Sequence, residues 1–221
     1  RVDDLKLQDA GMLRNMLSSG LSMGFMSSLV NIGTLTLQTS INKLGQNIII
    51  AHTAARKISE IFMIMFSVFG QTMATYCGQN LGAGEITRIK KGVHASSFLA
   101  FLTSAFISIV MFLFGKTLLS MFISGDPEQT SQVLAIAWHY LSIMASCLCI
   151  LYFLYVYRSA LQGLGNTMIP MLSGVVEFFV RVGVALLLPK LIGQNGIFYA
   201  EIAGAAVLLM ISYYINIRKF A

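Results

Sequence analysis

The chain has 221 residues, of which 56% are hydrophobic and 11% charged, and its formal net charge is +6. A water-facing domain carries about 25% charged and about 45–50% apolar residues, so a soluble fold is nearly excluded, and disordered, collagen-like and nucleic-acid-binding tails fall with it. What remains is an all-α polytopic membrane protein, because the apolar runs are long and uninterrupted where an outer-membrane barrel would alternate in short segments.

Residues 1–9 are charged rather than apolar, so no signal peptide is expected before the first span, and an opening Arg1 in place of Met suggests a fragment or processed chain. A helix needs about 20 predominantly apolar residues to cross a bilayer, and six stretches qualify: 12–37, 58–78, 93–123, 133–156, 169–188 and 198–217. The second helix is expected to begin outside the hydrocarbon, near Gln46 or Asn47, because residues 47–57 are helix-compatible but polar. Asp126-Pro127-Glu128 reads as a cap, a first-turn proline and a favourably placed acid at the start of the fourth span. Asn166 caps the fifth similarly, and Pro189 with Gly193 and Gly196 is expected to end it.

The fifteen Lys and Arg residues set the orientation. One side holds Arg1, Lys6, Arg14, Arg88, Lys90, Lys91, Arg158, Arg218 and Lys219; the other holds Lys43, Lys116 and Lys190. The positive-inside bias therefore places both termini in the cytoplasm of a multi-pass protein of the cell membrane. The same distribution accounts for the basic residues without nucleic acid, with anionic lipid headgroups at 88–91 as a secondary partner. Cys77, Cys147 and Cys149 all lie within apolar segments, which suits buried free thiols rather than a disulfide framework.

Ionisable residues at membrane depth are costly unless paired or facing water, and Glu60, Glu177 and Glu201 qualify. Glu177 and Arg181 stand at i,i+4 in the fifth span, with the acid on the favourable N-terminal side. The pair is either a cation-, proton- or substrate-coupled switch or a static tie between helices. Glu60 follows Arg56 and Lys57 and can be neutralised locally. Glu201 lies one turn into the sixth span, where the helix dipole favours an acid. His52, His94 and His139 are scattered and form no ligand set. The first span carries Asn15, Ser27, Asn31, Thr34 and Gln38 among many small polar residues, which either pack helices or line a solvated path. Thirteen Met residues suit adaptable apolar binding as well as ordinary packing.

Two glycine-bearing turns are prominent: Gly78-Gln79-Asn80-Leu81-Gly82-Ala83-Gly84 and Gln162-Gly163-Leu164-Gly165-Asn166-Thr167. Neither has the ending of a phosphate-binding loop; both suit a tight reversal between antiparallel helices. With Arg88, Lys90, Lys91 and Gly92 after the first turn, Asp126-Pro127-Glu128, and Val176-Glu177 through Arg181, they resemble in order the C-terminal half of multidrug and toxic-compound extrusion (MATE) transporters. The resemblance implies a six-helix lobe, residues 12–221, of a twelve-helix transporter, with residues 1–11 the end of an inter-lobe linker and the N-terminal lobe of the same transporter as partner.

It further implies a secondary active exporter rather than an enzyme, without a cofactor, exchanging Na⁺ or H⁺ for cationic or amphipathic drugs. Glu177, Arg181 and Glu60 are then the ion-coupling or electrostatic candidates, and Gln38, Gln71, Tyr155 and Arg158 the cavity or gate candidates. The sodium-coupled branch of the family has an acid on the first span of this lobe and an aspartate on the fourth. Here the first span has none, and Leu151 stands at the second place, so the ion site is expected in the N-terminal lobe or at Glu177. The alternatives are a lipid-linked oligosaccharide flippase, which needs a strongly cationic cavity offered only by Arg158 and Arg181, and an intramembrane hydrolase using Ser19 with His139.

Overall fold

The computed structural model of the chain describes residues 10–192. The linker end, Glu201 and the sixth expected span lie outside the described residues. Five helices follow in order: α1 Ala10–Asn42, α2 Gln46–Gly82, α3 Ile86–Ser120, α4 Pro127–Gly163 and α5 Met168–Ile192. Each contains a stretch long and apolar enough to cross a membrane. At 37 residues, α2 and α4 would run to about 55 Å, well beyond a hydrocarbon core of about 30 Å, so their polar ends lie outside it. As expected, α2 begins at Gln46.

The turns follow the sequence in most details. Gly84 and Gly165 have φ of 74° and 77°, in the left-handed region that glycine enters at no steric cost. The side chain of Asn166 caps α5, its Oδ1 accepting from the Ile169 N–H at 3.3 Å. Asp126 occupies the N-cap of α4 with proline just inside, but its carboxylate makes no capping hydrogen bond. Its contribution there is extended backbone, with its carbonyl accepting from Thr130 N–H at 2.9 Å. Pro189 does not end α5, which continues to Ile192. Proline costs a helix one internal hydrogen bond, a loss that α5 tolerates at this position, and Gly193 and Gly196 lie outside the described residues.

Packing divides the described helices into two units. α2, α3 and α4 pack on one another, α1 and α5 pack on each other, and few residues bridge the two sets. The main core belongs to the three-helix unit, where Phe66 meets Tyr152 edge-on with centroids 3.9 Å apart. Small residues set how closely α2 and α4 approach. A Cβ on Gly70 would meet the Ser159 hydroxyl, one on Gly78 would meet the Gly163 carbonyl, and one on Gly163 would enter the backbone of Ala74. This seam repeats every four residues on both helices, the spacing that lets membrane helices touch backbone to backbone. The two turn motifs thus meet in space through Gly78 and Gly163.

Five hydroxyls of α1 are satisfied within the helix: Ser28, Thr34, Thr36, Thr39 and Ser40 each donate to the carbonyl four residues earlier. Such back-bonding removes the cost of a hydroxyl in an apolar medium. α1 is therefore compatible with lipid or with a second protein surface, and its Leu17, Leu21, Phe25 and Leu35 are exposed.

Candidate functional site

Glu177 lies midway along α5, facing both units. One turn further along the helix, Arg181 donates from Nη2 to Glu177 Oε1 at 2.7 Å. From α4, Arg158 donates from Nη2 to Glu177 Oε2 at 3.0 Å. Arg181 also donates from Nη1 to the Thr34 hydroxyl on α1 at 2.9 Å, and that hydroxyl donates in turn to the Val30 carbonyl at 3.1 Å. One carboxylate thus ties α4 to α5, while Arg181 ties α5 to α1. Arg158, Glu177 and Arg181 are only 7%, 7% and 9% exposed. Burying an ion costs several kcal/mol before compensation, so removal of one partner from such a pair is far more damaging than at a surface.

Two cavities lie between the helical units and meet at this cluster. The smaller, about 210 Å³, is lined by Asn31, Thr34, Glu60, Tyr155, Arg158, Glu177 and Arg181, among others. The larger, about 640 Å³, is lined by Met23, Met26, Asn31, Gln71, Tyr155, Arg158, Ser159 and Gln162, among others. A volume of roughly 300–1,000 Å³ is that of a small-molecule site. Val30, Asn31, Tyr155 and Arg158 belong to both linings, which puts the Arg158 side chain at their junction.

The expected residues divide clearly. Glu177, Arg181, Arg158, Tyr155 and Gln71 come together around the cavities. Tyr155 is held there by stacking on Phe66, at 5.6 Å and 18°, and Gln71 Nε2 donates to Ser67 Oγ at 3.2 Å. Glu60 also lines the smaller cavity, paired with Arg56 at 2.9 Å. Its carboxylate is more than half exposed, and an ion pair of that kind contributes about 0–1 kcal/mol.

Gln38 stands apart, near the other end of α1, with its amide donating to Asn42 Oδ1 at 3.0 Å. Gln79, Asn80, Gly82 and Gly84 form the α2–α3 turn, where the Glu85 N–H donates to the Asn80 carbonyl at 2.9 Å and the Ala83 N–H to that of Gln79. Gln162 does more than turn the chain, since it reaches the larger cavity. His52 is buried against the Tyr140 ring, at 5.0 Å, whereas His94 and His139 are exposed. Ser19 lies near the start of α1 and His139 in the first third of α4.

Sequence spacing missed one partnership. Arg158 and Glu177 are nineteen residues apart on different helices, so no periodicity joins them. The available signal is charge, and the positive-inside count assigns Arg158 to the cytoplasmic side, whereas the structure buries it against Glu177.

Comparison with known proteins follows the same geometry. The family model described as MatE matches residues 22–187. No curated protein matches the sequence. Among solved structures, the chain is similar to one described as a MOP superfamily transporter from Pyrococcus furiosus with reverse polarity of its binding pocket, at TM-score 0.84 and 16% identity over 93% of this chain and 45% of that one. It is similar also to MATE in complex with MaD5, at TM-score 0.85 and 16% identity over 98% and 50%, and to MATE in complex with MaD3S, at 0.84 and 18% over 94% and 46%. The chain spans about half the length of the solved structures it resembles.

Proposed function

Since the chain belongs to the MatE family of multi-pass membrane transporters, we propose that it is the C-terminal lobe of a twelve-helix secondary active transporter of the cell membrane. That transporter exports cationic or amphipathic drugs in exchange for Na⁺ or H⁺. Both termini of the segment face the cytoplasm, and the two lobes rock about a central site in alternating access.

The observation that carries this reading is the Arg158–Glu177–Arg181 cluster, buried where two loosely joined helical units enclose cavities. Intramembrane charges are retained at substrate and ion pathways, and an ion pair across a seam of few contacts is an element that two conformations can make and break. Glu177 is the coupling candidate within this lobe. Both of its oxygens are engaged by guanidinium groups, so an entering cation must first displace an arginine. Coupling at Glu177 therefore proceeds with movement of α4 relative to α5.

A second reading has one observation in its favour. Three arginines and two glutamates line the smaller cavity, and among the described residues Arg158 is the only ionisable group with a full charge on the larger one. A flippase of lipid-linked oligosaccharides needs such a positive balance for its pyrophosphate. Expression of the full-length protein in an efflux-deficient bacterium separates the readings: drug export raises the inhibitory concentration of ethidium several-fold, and unchanged sensitivity contradicts it.

A further inference from the structure

The buried cluster holds more positive charge and more donors than its carboxylate can use. Each guanidinium carries five N–H donors and no acceptor. Arg158 gives one hydrogen bond to Glu177, and Arg181 gives one to Glu177 and one to Thr34. The Nε of both arginines is buried and has no hydrogen-bond partner among the described residues. Arg158 is 93% buried, being 7% exposed. One carboxylate between two guanidiniums leaves a unit positive charge, and a buried charge without a counter-ion costs several kcal/mol.

Among the described residues the larger cavity supplies no acid to offset it. Its lining is polar and neutral at Gln71, Ser159 and Gln162, and α1 adds apolar Met23, Met26 and Val30 beside Ser27 and Asn31. A ligand that fits has an apolar body for the flexible methionines and an oxyanion for the guanidinium, whose planar fork matches a carboxylate or phosphate in two parallel bonds.

We propose that Arg158, backed by Arg181, is an oxyanion-binding subsite that recognises the carboxylate or phosphate group of an amphipathic substrate. The inference rests on the transport reading above and narrows it. Glu177 is then the resident occupant of the subsite, and the substrate's oxyanion competes with it for Arg158. Substrate entry loosens the tie between α4 and α5, so recognition and opening of the seam are one event.

The test uses the full-length protein in vesicles under an imposed Na⁺ or H⁺ gradient, with two probes of one shape: rhodamine B, a zwitterion through its free carboxylate, and its methyl ester, a cation. The lost charge-assisted bond makes the acid the better substrate by roughly tenfold at low concentration. That ratio collapses in Arg158→Gln, and also in Gln71→Glu, which places an acid on an exposed position of the cavity wall. A folding defect slows both probes together and leaves the ratio alone. An ester moved as fast as the acid, or a ratio that survives both substitutions, overturns the inference while leaving transport intact. Movement of neither probe under either gradient overturns the transport reading and the inference with it, unless a fluorescent polyprenyl diphosphate is translocated in an Arg158-dependent way, which assigns the oxyanion to a lipid head group.

Discussion

Nη2 of Arg158 on α4 lies 3.0 Å from Oε2 of Glu177 on α5, a buried ion pair that joins the α2–α3–α4 unit to the α1–α5 pair. Removing Glu177 leaves two buried arginines uncompensated, whereas removing Arg158 leaves Glu177 paired with Arg181. Glu177→Gln should lower stability by about 3 kcal/mol, and Arg158→Gln, which keeps the Glu177–Arg181 pair, by less. The double variant should lose less than the sum by about 1–3 kcal/mol, the interaction energy of groups in one network. Thermal unfolding of the purified full-length protein in detergent measures this cycle, and strict additivity would show that the pair is not coupled.

Glu177→Gln also separates a functional charge from a packing one. In the full-length transporter the substitution should lower ethidium resistance even after correction for the amount of protein in the membrane. Resistance equal to that of the parent protein would reduce the cluster to a structural tie.

The close seam between α2 and α4 gives a prediction about shape alone. A Cβ at Gly163 meets the backbone of Ala74, which no rotamer change relieves, whereas a Cβ at Gly20 meets nothing within 4 Å. Gly163→Ala should cost about 1–3 kcal/mol by overpacking, while Gly20→Ala should be neutral or stabilising by up to about 1 kcal/mol from helix propensity. Comparable melting temperatures for the two variants would contradict the seam.

Orientation is testable with single cysteines in a background lacking Cys77, Cys147 and Cys149. Glu85→Cys in the α2–α3 turn should react with a membrane-impermeant maleimide only after permeabilisation, and Ser124→Cys in the α3–α4 turn should react on intact cells. The reverse pattern would place the termini outside.

Local rules made the helices legible. Apolar run length located each described span, Gly84 and Gly165 marked their turns by conformation, and Asn166 marked a cap by its side-chain chemistry. C-terminal helix ends were less legible: the fourth span, expected to reach 156, continues as helix to Gly163, because hydropathy marks hydrocarbon depth and not where backbone hydrogen bonding stops. Spacing along one helix paired Glu177 with Arg181 and Glu60 with Arg56. It could not pair Glu177 with Arg158, because that contact is fixed by how α4 and α5 lie against each other. Gln38 was chosen for polarity on the first span, yet Asn31 and Thr34, one to two turns earlier, are the α1 residues that reach the cluster's cavity. Polarity identified the helix, and only the rotation of α1 against α5 selected the residues.

The central claim is that this chain is one lobe of a gradient-driven exporter, and dye efflux measures it most directly. Full-length protein reconstituted into vesicles should move ethidium against its concentration gradient when a Na⁺ or an H⁺ gradient is imposed separately, with residues 1–221 alone inactive under both. Absence of uphill movement by the full-length protein under either gradient, or efflux by the isolated 221-residue chain, would contradict it.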